Sequence, residues 1–141
     1  MKRLNLETQI LNALYENTKR DNGFMDYHDI GKAIFGNGYI SQTYRIFDKM
    51  IKGRMFLVRE IADRQGILII PKRKPTTKDK EKRFQILGWK IAMEGDENYI
   101  TDELTYKINN GEARKSSTLR FANTAVKKGM LESTKILELS Q

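Results

Sequence analysis

Two segments of the chain, 75 residues apart, present similar hydrogen-bonding side chains at helical spacing. Residues 41–56 align without a gap on residues 116–131, and five of the sixteen positions are identical. At about 100° per residue, the polar side chains fall on one half of each helix and the apolar ones, Met50 and Ile51 among them, on the other. Arginine can bond bidentately to guanine, and glutamine or asparagine to adenine. The candidates for contact with base edges are Gln42, Thr43, Arg45, Ser117, Thr118, Arg120, Asn123 and Thr124.

Lysine and arginine side chains near these segments are suited to phosphate groups, which position a protein on a duplex without reading its sequence. The chain has 26 Lys and Arg against 18 Asp and Glu, a formal net charge of +8, which favours a polyanionic partner. The plainer alternative is that these cations form solvated helix faces and a solubilising spacer. The candidates are Lys49, Lys52, Arg54, Arg64, Lys72, Arg73, Lys74, Arg114, Lys115, Lys127 and Lys128.

The composition offers little for catalysis. The chain has no Cys and one His, His28, which excludes disulfides, a His/Cys zinc site and a Cys nucleophile. It contains neither a GxxxxGK[ST] phosphate loop nor GxGxxG after a strand. The adjacent carboxylates Asp102 and Glu103 are typical of a helix start rather than a metal site. We therefore expect no enzymatic activity, no cofactor and no metal.

The elements that must position these side chains begin with three helices. Apolar residues recur at helical spacing from Asn5, which predicts a first helix that stops near residues 21–23. Asp26 is the predicted cap of a second helix, ended by the glycine-rich residues 36–38. Ser41 is the predicted cap of the third helix, which carries the first set of base-edge candidates.

Short apolar runs predict the strands of this half. Phe24 and Met25 predict one short strand. Residues 55–62 and 67–70 predict a hairpin whose turn lies at residues 63–66. The hairpin would then follow the third helix directly.

The same order is predicted again after a basic segment that contains both prolines of the chain. Residues 84–92 predict a first helix, Thr101 the cap of a second, and Ser116 the cap of a third. Residues 130–139 predict a shorter hairpin. The chain is therefore predicted to consist of two similar halves joined by a linker.

These halves each resemble a winged helix-turn-helix domain. The resemblance rests on a Ser-x-Thr-x-Arg helix start and a Lys-Gly junction into a strand, namely Ser41, Thr43, Arg45, Lys52–Gly53 and Lys128–Gly129. It implies an α+β, mostly α fold of two tandem winged helix-turn-helix domains, each with three helices and a β-hairpin wing. The domains would be residues 1–71 and 83–141, with a basic linker at residues 72–82.

In such domains, the resemblance implies, the third helix enters the major groove and the wing touches the minor groove or the backbone. Arg64 would then lie at a wing tip. We therefore expect a sequence-specific double-stranded DNA-binding protein, a transcriptional regulator that reads adjacent groove segments with two recognition helices. The alternatives are an origin-binding replication or partition protein of a plasmid or virus, a tandem winged-helix protein-interaction scaffold, and an RNA-binding protein.

The chain has no apolar run near the roughly 20 residues that span a bilayer, and its N-terminus has no signal-peptide core. We therefore expect a cytoplasmic protein with no membrane partner. A homodimer paired through the first helices and a protein partner remain open alternatives.

Overall fold

The computed structural model of the chain describes residues 5–20, 23–36, 44–74, 85–132 and 134. These residues form five helices and a two-stranded antiparallel sheet, which confirms the α+β, mostly helical class. The elements are α1 (Leu6–Lys19), α2 (Tyr27–Phe35), α3 (Tyr44–Arg64), β1 (Ile69–Lys74), β2 (Gln85–Ile91), α4 (Glu97–Asn109) and α5 (Ser116–Lys127).

The chain divides into two compact units, and each unit takes two separate stretches of sequence. The first unit comprises Met1–Arg59 and Pro71–Lys90, and the second comprises Glu60–Ile70 and Ile91–Gln141.

Local signals define the first two helices of the first unit. The Asn5 side chain caps α1 by accepting a hydrogen bond from the Thr8 N–H at 2.9 Å. Asp26 and Asp29 form a reciprocal capping box at the start of α2, with distances of 2.7 and 3.3 Å. Gly36, with φ of +65°, ends α2. The predictions for both helices are confirmed.

Helix α3 is longer than predicted, and the strand predicted at residues 55–62 is wrong. Ile51, Met55, Val58 and Ala62 are buried and recur every three or four residues, so the apolar run continues one face of a helix. The predicted Lys52–Gly53 junction lies inside α3. A glycine in a helix interior costs about 1 kcal/mol, which the burial of this stripe offsets.

The sheet lies further along the chain than predicted. The strand predicted at residues 67–70 begins at Ile69, and β1 continues through residues 72–74, which were assigned to the linker. The helix predicted over residues 84–92 is wrong, because residues 85–91 form β2. At Gly88 a Cβ would meet the Phe24 Cβ at 3.0 Å and the Met25 carbonyl oxygen at 3.1 Å, so only glycine lets the two backbones come this close.

Met25 adds a third strand position beside β2. Its N–H donates to the Trp89 carbonyl at 2.8 Å, and the Trp89 N–H donates back at 2.7 Å, as an antiparallel bridge. The prediction of a short strand at Phe24 and Met25 is confirmed in this form. The first unit therefore has the order α1, Met25, α2, α3 as far as Arg59, β1 from Pro71 and β2 as far as Lys90, with Met25 and β1 on opposite sides of β2.

The second unit contains α4 and α5. Helix α4 begins at Glu97, before the predicted cap at Thr101, and buries Ile100 and Leu104. Helix α5 begins at Ser116, with Lys115 rather than the predicted Ser116 as its N-cap and no side-chain cap hydrogen bond, and it ends before Gly129, whose φ is +70°. Residues 130–132 are not in a strand, and most of the hairpin predicted at residues 130–139 lies outside the described residues.

Candidate nucleic-acid interface

Helix α3 presents a cationic face opposite its buried stripe. Lys49 and Lys52 are exposed, as predicted. Ile51, which lies between them in sequence, and Met55, which follows them, are buried. Neither lysine forms an ion pair with another described residue, so both ammonium groups are available to a partner. Residues 49 and 52 are neighbours across one turn, which concentrates positive charge on one side of the helix.

Arg54, at the edge of this face, has a partner within the protein. Its Nη1 lies 3.1 Å from Glu7 Oε1, which joins α3 to α1. Although the guanidinium is exposed, part of its hydrogen-bonding capacity is taken up by this carboxylate. Arg54 is therefore a weaker phosphate candidate than Lys49 or Lys52.

Three large apolar side chains are exposed on the same helix. Met50 is 45% exposed, Phe56 65% and Leu57 37%. Helical spacing predicted Met50 on the buried half of the helix, and this prediction is wrong. Phe56 and Leu57 were also missed, because they were assigned to a strand. The sequence signal was the helical spacing of residues 51, 55, 58 and 62, which leaves residues 50, 56 and 57 on the opposite side.

Asp48, next to Lys49 in α3, has a partly buried carboxyl group. Burial raises the pKa of its carboxyl group, the nearby His28 opposes this change, and Asp26 adds to it. Its Oδ1 is buried and has no hydrogen-bond partner among the described residues.

The sheet of the first unit holds cations against aromatic rings. Lys72 Nζ lies 5.9 Å and Lys90 Nζ 5.6 Å from the centre of the Phe24 ring. The Arg59 guanidinium lies 5.2 Å from the centre of the Trp89 ring. The negative face of an aromatic ring attracts a cation at these distances. Lys90 and Arg59 were absent from the sequence-based candidates.

Several predicted DNA-contact residues in the first half of the sequence lie at unexpected positions or outside the described residues. Arg64 is exposed at the C-terminal end of α3, so its assignment to a wing tip is wrong. Arg73 is half-buried in β1. Gln42 and Thr43 lie outside the described residues, and the side chains of Arg45 in α3 and Lys74 in β1 also lie outside them.

The candidates on α5 are less accessible than those on α3. Thr118 is 4% exposed, and its hydroxyl has no hydrogen-bond partner among the described residues. Its proposed contact with a base edge is therefore wrong in this conformation, because the side chain faces the interior. Arg120 is half-buried, and its Nη2 lies 3.7 Å from Glu60 Oε1.

The other second-half candidates vary in exposure. Ser117 and Thr124 are half-buried. Lys115 is exposed, with its Nζ 3.0 Å from Glu112 Oε1. The exposed remainder comprises Asn123, Arg114, Lys127 and Lys128. The structure therefore leaves α5 with cations at its two ends and a partly buried middle.

Metal ligands, membrane-spanning helices and cavities were also sought in the part of the chain that the structure describes. It contains no group of three His, Cys, Asp or Glu residues that could hold a metal ion. None of its helices has both the length and the apolar character needed to cross a membrane. An open cavity of about 470 Å³ between α1 and α2 is lined mainly by polar residues of α1, including Gln9, Asn12 and Arg20.

Comparison of the chain with protein-family models, with curated proteins and with solved structures gave no match. Its function is therefore inferred from its own residues.

Proposed function

We propose that the chain is a sequence-specific double-stranded DNA-binding protein that acts as a transcriptional regulator, with the exposed face of α3 as its main reader. The observation that carries this proposal is the pair Lys49 and Lys52, which are exposed and form no ion pair with another described residue. A helix presenting cations to solvent opposite a buried stripe can lie in the major groove, where side chains contact phosphates and base edges.

The order of elements in the first unit supports the proposal. A helix, a strand position, two further helices and a two-stranded hairpin, with the first strand position beside the last strand, is similar to a winged-helix domain. In this interpretation the wing is formed by β1 and β2, and residues 55–62, which were predicted as its first strand, belong to α3 instead. The resemblance implies that such a wing lies near the minor groove or the backbone.

The sequence of that hairpin supports the same conclusion. Residues 71–83 contain seven basic and two acidic residues, and Lys72 is exposed in β1. The basic segment that was predicted to be a linker therefore begins within β1, the strand that follows α3 in the sequence. Positive charge on the hairpin and on α3 of one unit would contact several phosphates together.

Helix α5 is the weaker candidate as a second reader. Arg120 lies near Glu60 and Thr118 is buried, so both side chains are less accessible to a base edge than was predicted. We therefore assign most of the binding to the first unit, and treat a two-helix reader as a hypothesis to be tested through Arg120.

The experiment is selection of bound sequences from a random duplex library at about 150 mM salt. The test variant is Lys49→Ala/Lys52→Ala. The control is Lys19→Ala/Arg20→Ala, which removes the same charge from the first unit outside α3. We expect an enriched motif for the wild type and the control, and weaker binding for the test variant. Absence of duplex binding by the wild type, even at low salt, would overturn the proposal.

A protein-interaction scaffold is the second candidate. The observation in its favour is the exposure of Met50, Phe56 and Leu57, because exposed apolar clusters commonly mark interaction sites. A scaffold would need these side chains without needing DNA. The two candidates therefore differ in what covers this apolar cluster.

A further inference from the structure

The apolar cluster of α3, defined as Met50, Phe56 and Leu57, lies within its cationic face rather than beside it. At about 100° per residue, Met50 and Leu57 fall on one side of Gly53, and Lys49 and Phe56 fall on the other. Gly53 itself points almost directly away from the buried stripe of Ile51, Met55, Val58 and Ala62. One continuous surface therefore combines apolar side chains with cations.

The combination of apolar side chains and cations on this face of α3 disfavours a second copy of the chain as its binding partner. Two-fold pairing through this face would place both copies of Lys49 and Lys52 in one interface. Neither lysine is neutralised by another described residue, and like charges brought together across an interface cost several kcal/mol. A polyanionic partner is complementary to the same lysines.

The major groove of DNA offers both features that the face requires. Phosphates line its edges, and the C5-methyl group of thymine is the apolar group that a base pair presents there. Met50, Phe56 and Leu57 extend over roughly 10 Å of helix, which matches about three base-pair steps.

Gly53 favours close approach of such a partner. A Cβ at this position would have nothing within 4 Å, so the glycine is not required by packing inside the protein. Without a side chain at the centre of the exposed face, the helix backbone can come nearer to the floor of a groove.

We propose that the apolar cluster of α3 contacts thymine C5-methyl groups, so that the protein selects thymine-containing sites, while Lys49 and Lys52 contact the flanking phosphates. This inference rests on the proposed function and assigns part of its specificity. It also makes DNA, rather than protein, the binding partner of the exposed apolar side chains.

The test compares two duplexes that differ only in methyl groups. One is an alternating adenine and thymine duplex, and in the other deoxyuridine replaces every thymine, with the same charge and base pairing. We expect the wild type to bind the deoxyuridine duplex at least about fourfold more weakly, because burial of one methyl group contributes about this factor. Adding methyl groups by exchanging cytosine for 5-methylcytosine in a second duplex should strengthen binding.

Variants assign the effect to the cluster. Met50→Ala/Phe56→Ala/Leu57→Ala should bind the thymine and deoxyuridine duplexes equally. The control Tyr15→Ala/Met93→Ala removes exposed apolar side chains elsewhere and should keep the wild-type preference. All five positions are exposed, and the unfolding midpoint followed by Trp89 fluorescence verifies that each variant is folded.

The outcomes separate the inference from the function. Equal wild-type affinity for the two duplexes would overturn the inference and leave DNA binding intact. A thymine preference that persists in the triple variant would also overturn it, since other residues would then be responsible. No binding to either duplex would overturn the inference. If the random duplex library also gave no bound sequence, even at low salt, the proposed function would be overturned as well, and a protein would be favoured as the partner of the apolar cluster.

Discussion

Met25 and Trp89 exchange both of their backbone hydrogen bonds, at 2.8 and 2.7 Å, although 64 residues separate them (89 − 25). This pair fixes β2 beside the segment between α1 and α2. Because the neighbouring Gly88 must come close to Phe24 and Met25, the pair also explains a glycine in the middle of a strand.

Gly88→Ala should destabilise the protein by about 1 to 3 kcal/mol. The new Cβ would meet backbone atoms of Met25 at 3.1 and 3.2 Å, and a backbone can yield only by disturbing the sheet. Trp89 is the only tryptophan of the chain and is 3% exposed, so its fluorescence can follow unfolding in urea.

Gly53→Ala is the matched control for that experiment. Nothing lies within 4 Å of its Cβ position in the interior of α3, so the substitution should stabilise the protein by about 0.5 to 1 kcal/mol. Equal effects of the two substitutions would contradict the close packing described at Gly88.

Lys49→Ala/Lys52→Ala should weaken binding to all duplexes to a similar degree. Each phosphate contact contributes about −0.9 to the slope of log affinity against log salt, and we expect about −4 to −8 for the wild type. The double variant should reduce the magnitude of this slope by roughly two. An unchanged slope in a salt titration would show that these lysines do not contact phosphates.

Arg120→Ala should change DNA affinity by less than about threefold, because its guanidinium is partly engaged by Glu60 at 3.7 Å. The stability change should be within about 1 kcal/mol, since both side chains are partly exposed, and Glu60→Gln should have a similar effect. A loss of affinity as large as that of the double lysine variant would instead identify α5 as a second reader.

Asp48→Asn should increase stability at neutral pH. Burial raises the pKa of this carboxyl above 3.8, so the folded state binds more protons than the unfolded state between 3.8 and the raised value. The contribution of Asp48 to stability is therefore most favourable below this window, and is lost as the pH rises through it. Asparagine cannot ionise and removes this dependence.

The measurement is the urea midpoint of both proteins across the acidic and neutral range. The advantage of Asp48→Asn should shrink as the pH falls from neutral through the raised pKa of Asp48 towards 3.8, and should change little below 3.8. Asp102→Asn, at an exposed position of α4, serves as the control for the loss of one carboxyl group. A constant difference at every pH would contradict the assigned role of burial.

Some of the fold could be predicted because its signals are local. Asn5, Asp26 and Gly36 act on backbone groups within a few residues, and the helices they delimit are confirmed. Residues 85–91 could not be predicted in this way. Their apolar spacing fits one helical turn as well as a strand, and the choice depends on Met25, far away in the sequence.

In the candidate site, too, features set by local sequence could be predicted and features set by distant residues could not. The exposure of Lys49 and Lys52 follows from helical periodicity alone, and was predicted. The environments of Thr118 and Arg120 were not, because Thr118 is buried by packing and the partner of Arg120 is Glu60, on another helix. The similar sequences of residues 41–56 and 116–131 therefore do not have similar surroundings in the structure.

The separation of Met25 from Trp89 also sets the order in which the first unit can be completed during synthesis. When Lys74 has been added, β1 exists without the strand that pairs with it, and the backbone of Met25 lacks its partner as well. Another 15 residues (89 − 74) must be added before Trp89 is present, which takes roughly 1 to 3 seconds on a ribosome. Until Trp89 is present, the backbone groups of β1 and Met25 that pair with β2 have no strand partner, and unpaired strand edges of this kind favour aggregation.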